Sequence, residues 1–402
     1  MKRILFFSVL ALLIAACGAD AQTNEPAGST ELALAATATV EGPQAALESM
    51  TAPEETPLPD EINAPLIDSP SLINIEMLDE VYGWGITEEN IVRTNDGGVT
   101  WYNVTPGNLA DAGYLVHADF FDATHAWVQL PDMNNYPNGG TLYRTSDGGI
   151  TWDAFETPFS GGSLHFITEE NGWMMADLGV GAGSMAVSIF QTEDGGATWQ
   201  RVYTNDPNLA DAGVTLPLGG IKNILLPLDM QTAWVGGVVY APGEMYLFRS
   251  QDGGETWLQI NVVLPDEAAE SELSVLGILF VSETDGLLAL RMSAETPQTI
   301  IYATEDGGVT WSLLPVSFEG YGILETPSAR EMIFYTDDQF YVTNDAGETI
   351  QQIAPEIAFG DSLIDMSFAN SQTGWVIAAS PSNERTLYKT TDGGETWTPL
   401  TP

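Results

Sequence analysis

The octad Thr94-Asn95-Asp96-Gly97-Gly98-Val99-Thr100-Trp101 carries the chemistry of a tight turn. Its aspartate can accept backbone N–H groups within the turn, and the glycine pair tolerates positive φ. The tryptophan can then return into a core. The octad recurs at Thr145–Trp152, Thr192–Trp199, Ser250–Trp257, Thr304–Trp311 and Thr390–Trp397, with a worn copy at Thr343–Ile350. The aspartates are Asp96, Asp147, Asp194, Asp252, Asp306, Asp345 and Asp392, spaced 51, 47, 58, 54, 39 and 47 residues apart. Four short strands with their turns need about fifty residues, the size of one propeller blade.

A second motif keeps register with the first. Gly83-Trp84, Ala126-Trp127, Gly172-Trp173, Ala233-Trp234 and Gly374-Trp375 each precede an octad by one strand and a loop. Blade five has Gly286-Leu287 at this point, and blade six has no such pair. Octads and pairs together use all 11 tryptophans, which leaves none for a sugar-stacking platform outside the repeat. Alternating β-branched and aromatic residues between turn signals predict four strands per repeat. In the first repeat these are Leu72–Leu78, Gly83–Thr87, Ile91–Thr94 and Thr100–Val104. The expected fold is all-β, a seven-bladed propeller over residues 71–402 in which each blade supplies its own strands. Closure then rests on packing between blades one and seven, with a terminal strand exchange as the alternative if the strand phase is shifted.

These motifs resemble the BNR or Asp-box propellers, whose pattern is Ser/Thr-x-Asp-x-Gly-x-Thr-Trp. The Gly-Trp pair combined with Thr-x-Asp-Gly-Gly-x-Thr-Trp is most similar to the photosystem II stability and assembly factor-like family. Blade six departs from the pattern, with Ala346 for the first glycine and Ile350 for the tryptophan. The resemblance implies chemistry on the face opposite the Asp-boxes. That face carries the loops between second and third strands and the connections between blades. The long loops there are Pro131–Gly140, Leu178–Ser188, Val262–Ser274 and Ser380–Glu384.

The N-terminus reads as a targeting segment. Lys2 and Arg3 precede an apolar run from Ile4 to Ile14, too short to span a bilayer as a mature helix. Leu13-Ile14-Ala15-Ala16-Cys17 resembles a bacterial lipobox, which implies a signal peptide over residues 1–16 and lipid on Cys17, the sole cysteine. Gly18 to Pro70 holds seven prolines and ten acidic residues with no basic or aromatic one. Such a stretch cannot bury enough apolar surface to offset ordering, so residues 17–70 are expected to be a disordered tether. The chain is thus expected outside the cytoplasm as a membrane-anchored lipoprotein, at the cell surface or in the periplasm.

Charge narrows the partners. Eleven Lys+Arg against 56 Asp+Glu give a formal net charge of −45. Nucleic acid is excluded on these grounds, and the membrane is reached only through the anchor. The expectation is a monomeric, non-catalytic scaffold that binds a protein or complex of the cell envelope, cationic in character, without cofactor or metal. The partner-binding candidates are Asp111 and Asp211, in the matched segments Asn108–Gly113 and Asn208–Gly213.

The alternative is an Asp-box glycoside hydrolase. Sialidases of this kind need an arginine triad. Beyond the signal segment, and apart from Arg93, Arg144, Arg249 and Lys389, which each immediately precede an octad, the basic residues are Arg201, Lys222, Arg291, Arg330 and Arg385, with no arginine on a predicted innermost strand. A hydrolase using two carboxylates remains open. Asp119 and Asp365 fall on the predicted innermost strands of blades two and seven, and could act as acid and base. His117, His125 and His165 show no metal-ligand spacing, and the box aspartates sit on separate blades.

Overall fold

The computed structural model describes residues 62–400 apart from 108, 110–112, 114 and 115. The signal segment, Cys17, most of the tether and Asp111 lie outside the described residues.

Strand pairing yields antiparallel four-strand meanders, each closed by one octad. Their innermost strands are Leu72–Met77, His117–Phe120, Gly162–Phe166, Ile221–Pro227, Glu272–Phe280, Ile323–Glu325 and Leu363–Phe368. Blades four and five merge into one eight-stranded sheet, because Val238 and Val239 pair with Ser274 and Leu273. Blade one gains a fifth strand: Leu66 and Ile67 pair with Tyr102 and Trp101 on its outer edge. The boundary expected at residue 70 therefore falls inside the fold. Leu66–Ile67 covers backbone groups that an outer edge strand would otherwise leave open.

Every octad closes in the same way. In blade one the Thr94 hydroxyl donates to Asp96 Oδ1 at 2.9 Å, and Asp96 Oδ1 accepts the Thr100 amide at 2.8 Å. Gly97 and Gly98 sit at φ of 75° and 89°, a conformation that side chains disfavour. The Gly97 amide donates to Val81 O, tying the octad to the turn between the blade's first two strands. Trp101 folds back, and its Nε1 donates to Gly98 O at 2.9 Å.

Blade six keeps this geometry despite its altered residues. Thr343, Asp345, Gly347 and Thr349 make the same bonds, and the Ala346 amide still donates to Arg330 O. Ala346 achieves this at φ 62°, where its Cβ crowds its own backbone. Ala346→Gly is expected to stabilise the protein by about 1 kcal/mol, read as a higher denaturation midpoint. A lowered midpoint would mean that the alanine is not strained.

The tryptophans of the second strands join neighbouring blades. Trp84, Trp127, Trp173 and Trp375 are fully buried. Their Nε1 atoms donate to Asp122 O, Gly195 O, Asp229 O and Gly97 O, each in the following blade. The last of these closes the ring, since Trp375 is in blade seven and Gly97 in blade one. Leu72, Ile75, Met77, Val92 and Trp101 of blade one pack there with Trp375, Ile377 and Leu387 of blade seven. Among the described residues no strand is exchanged between the two blades, and closure rests on side chains.

Candidate active-site face

In an antiparallel meander the octads and the first turns share one edge of each sheet. The second-to-third-strand loops and the blade connections share the other. The exposed aromatic side chains among the described residues all lie on that second face. They are Tyr136 in the loop of blade two, Tyr240 in the loop of blade four, and Tyr321 between blades five and six, at 52%, 61% and 67% exposure. Counting tryptophans alone missed this set, whose only sequence signal is tyrosine in long connections. The stretch Leu178–Ser188, expected as a loop, is mostly a hairpin: Gly172–Gly181 pairs with Ser184–Thr192 past the sheet edge.

Asp119 and Asp365 lie on the innermost strands of blades two and seven. Both carboxylates reach across to the next blade. Asp119 Oδ2 accepts the Phe166 amide at 2.5 Å. Asp365 Oδ2 accepts the Ile75 amide and Asn74 Nδ2, each at 3.0 Å. Ser367 similarly accepts the Met77 amide at 2.9 Å. The innermost strand of a blade has an unpaired inner edge, and side chains of the preceding blade satisfy part of it. Asp365 keeps some accessible surface, yet protein surrounds it closely. That burial outweighs the hydrogen bonds from Ile75, Met366 and Asn74 and pushes its carboxyl up to about 7.

The remaining candidates separate. Asp211 forms an ion pair with Arg201 at 2.6 Å, so its charge is locally matched. Arg385 pairs with Glu88, and Arg291 donates to Gly322 O at 2.7 Å. These arginines sit in blades three, seven and five, and no triad forms. Lys222 is buried on the innermost strand of blade four, where Nζ donates to the carbonyls of Met185, Leu218 and Gly220. Desolvation lowers it to about 8. Desolvation of Asp147, Asp194, Asp252 and Asp392 is outweighed by hydrogen bonds within their own turns, which lower all four; the same kind of bonds bring Asp306 and Asp345 down to about 2. Among the described residues, no three His, Cys, Asp or Glu side chains are grouped to hold a metal.

The architecture is similar to solved structures. A GH74 xyloglucanase from Xanthomonas campestris superposes with a TM-score of 0.56 at 12% identity, covering 84% of this chain and 55% of its own. YCF48 bound to a D1 peptide gives 0.50 at 15% identity, covering 83% and 99%. The fold is a β-propeller. A family model for sortilin and Vps10 (sortilin, neurotensin receptor 3) matches residues 299–402 of the propeller. In sequence the chain is similar to a xyloglucanase of Paenibacillus, 24% identical over 247 residues, and to xyloglucanase Xgh74A of Acetivibrio thermocellus, 27% identical over 198. These matches cover 60% and 42% of this chain. The chain spans about a fifth of the length of these relatives, 21% and 22%. The sequence kinship lies with glycoside hydrolases. It overturns the expectation of a non-catalytic scaffold, which had rested on the absence of an arginine triad and of spare tryptophans. Neither absence bears on a two-carboxylate hydrolase.

Proposed function

We propose that this propeller is a glycoside hydrolase acting on a neutral polysaccharide of the xyloglucan class, with Asp365 as the acid and Asp119 as the second carboxylate. The observation that carries the reading is the carboxyl of Asp365, raised to about 7 on the innermost strand of blade seven, in a chain whose sequence matches are xyloglucanases. An acid that protonates a leaving glycosidic oxygen must hold its proton near working pH, and burial is the usual way to arrange it. A neutral substrate also avoids the repulsion that a net charge of −45 would impose on an anionic one. Export and anchoring through Cys17 belong to the same proposal, because the tether would present the propeller to polymers outside the cell.

The test is release of reducing ends from xyloglucan by the whole chain. Asp365→Asn is expected to lower kcat by roughly 10²- to 10⁴-fold. Wild-type activity is expected to decline as pH rises through about 7, where the folded-state carboxyl loses its proton. Turnover that survives in the double variant Asp119→Asn, Asp365→Asn would remove both residues from the chemistry. No turnover on xyloglucan or on related neutral glucans would end the hydrolase reading.

A further inference from the structure

Blades two and three meet on the loop face in a constellation that neither the repeat nor the paired carboxylates account for. Tyr136 stands on the loop Asp132–Gly139, which is fastened at its base and to its neighbour. The Asp132 amide donates to Gly139 O at 3.0 Å. The Ser160 amide and hydroxyl donate to Pro137 O and Gly139 O, at 3.0 and 2.8 Å. The tyrosine ring is thus exposed but mounted on a tied loop, a combination that favours a preorganised contact over a collapsed one.

The connection beneath it is shaped by glycine. A Cβ at Gly161 would lie 2.5 Å from two atoms of the His117 ring, and a Cβ at Gly162 would lie 2.0 Å from Met175 O. Only bare backbone can pass over the imidazole here. The Gly161 carbonyl in turn accepts the Asp177 amide at 3.1 Å. Asp177 sits where the hairpin of blade three breaks register, between Asp177 and Gly179, and its Oδ1 accepts the Gly179 amide at 2.8 Å. Such a bulge turns a side chain out of the alternation a regular strand would impose. The half-buried carboxylate acts electrostatically on both neighbours. Burial and then Asp177 raise the Tyr136 phenol, whereas for His117 burial lowers the imidazole and Asp177 opposes it. Beyond Asp177 the hairpin overhangs the face and carries the exposed Val180.

We propose that Tyr136, Asp177 and His117 form a saccharide-binding subsite for one residue of a neutral glucan chain. This rests on the polysaccharide reading above and adds the place where the chain is gripped. A pyranose offers an apolar C–H face and a rim of hydroxyls. The tyrosine ring takes the face, and the Asp177 carboxylate accepts hydrogen bonds from the hydroxyl rim. His117, packed beneath the Gly161 backbone, forms the floor of the subsite.

Calorimetric titration of the whole chain with xyloglucan oligosaccharides tests the subsite. Tyr136→Ala is expected to weaken binding about tenfold, Asp177→Asn several-fold, and Tyr136→Phe hardly at all, because stacking needs the ring and not the hydroxyl. Tyr321→Ala, on a separate connection, serves as the control and is expected to bind as wild type does. The Tyr136 side chain is half exposed, so its loss leaves folding intact, which thermal denaturation verifies. Wild-type binding that persists unchanged in Tyr136→Ala and Asp177→Asn overturns the subsite and leaves the hydrolase reading standing. Binding lost in Tyr321→Ala but kept in Tyr136→Ala overturns it too. A wild-type chain that neither binds nor cleaves these oligosaccharides overturns both readings together.

Discussion

Trp375→Ala is expected to destabilise the propeller by roughly 3–5 kcal/mol, the range for truncating a fully buried tryptophan, and to lower Tm by about 5–10 °C. The substitution removes three things at once. The indole is wholly buried among blade-one and blade-seven side chains. Its Nε1 donates to Gly97 O at 2.8 Å, and loss of that bond leaves a buried carbonyl with one partner fewer. Lys389 lies 4.6 Å from the ring centroid, and its ammonium would lose the face it rests on. Trp84→Ala is the informative comparison. Trp84 is equally buried and donates to Asp122 O at 2.9 Å, but it joins blades that are consecutive in the chain. A junction without a covalent connection must be brought together by its contacts alone, which carries a larger loop-closure cost. The loss at Trp375 should therefore exceed that at Trp84, and should broaden the unfolding transition as the ring opens. Equal losses, with unchanged steepness, would mean that closure depends on contacts other than this tryptophan.

How much of this was readable in advance follows from the range of the interactions involved. The octads were legible because their hydrogen bonds span at most four residues: hydroxyl to aspartate, aspartate to amide, glycine to hydroxyl. Turn chemistry of that kind is written in consecutive letters. Ring closure was only half legible: strands counted from Leu72 to Leu400 pointed to packing, but the count alone left a terminal strand exchange open. The strand Leu66–Ile67 was not, because two residues between prolines show no alternation to detect. The overhanging hairpin of blade three was read as a loop because Leu178–Ser188 is rich in glycine, alanine and serine, and its pairing continues from strands that precede and follow it. The position of Asp365 on an innermost strand could be predicted, but its hydrogen bond to Ile75 spans 290 residues, so neither its partner nor its altered acidity could be. The ranking of scaffold above hydrolase failed for a related reason. It set aside the arginine triad and a tryptophan sugar platform, and left the carboxylate pair Asp119 and Asp365 as the lesser alternative because an acidic chain offers many such pairs. The exposed tyrosines and the altered acidity of Asp365 become visible only when separate blades are brought together.

Asp365 also makes the fold itself sensitive to pH, in a direction that can be worked out. Its carboxyl titrates near 7 in the folded protein against an ordinary value of 3.8. Between those values the folded state holds a proton that the unfolded chain has released. Stability from this group is therefore complete below about pH 4 and lost as pH rises toward 7. The separation bounds the effect at roughly 4 kcal/mol, with the hydrogen bonds from Ile75, Met366 and Asn74 already working against it. Asparagine matches the shape of the protonated acid and cannot ionise. Asp365→Asn should thus denature close to the wild-type temperature at pH 4 and several degrees above it at pH 8. Asp147, Asp194, Asp252, Asp306, Asp345 and Asp392 shift in the opposite sense, but they are common to both proteins and cancel in the difference. The difference in Tm between variant and wild type, followed from pH 4 to pH 8, is the measurement. A difference that grows with pH identifies a strained, protonated carboxyl, and the same substitution should then yield a more stable but inactive enzyme. A difference that stays flat, or a variant less stable at every pH, would show that Asp365 is an ordinary ionised staple between blades seven and one. In that event the acid of the proposed reaction must be sought elsewhere on the loop face.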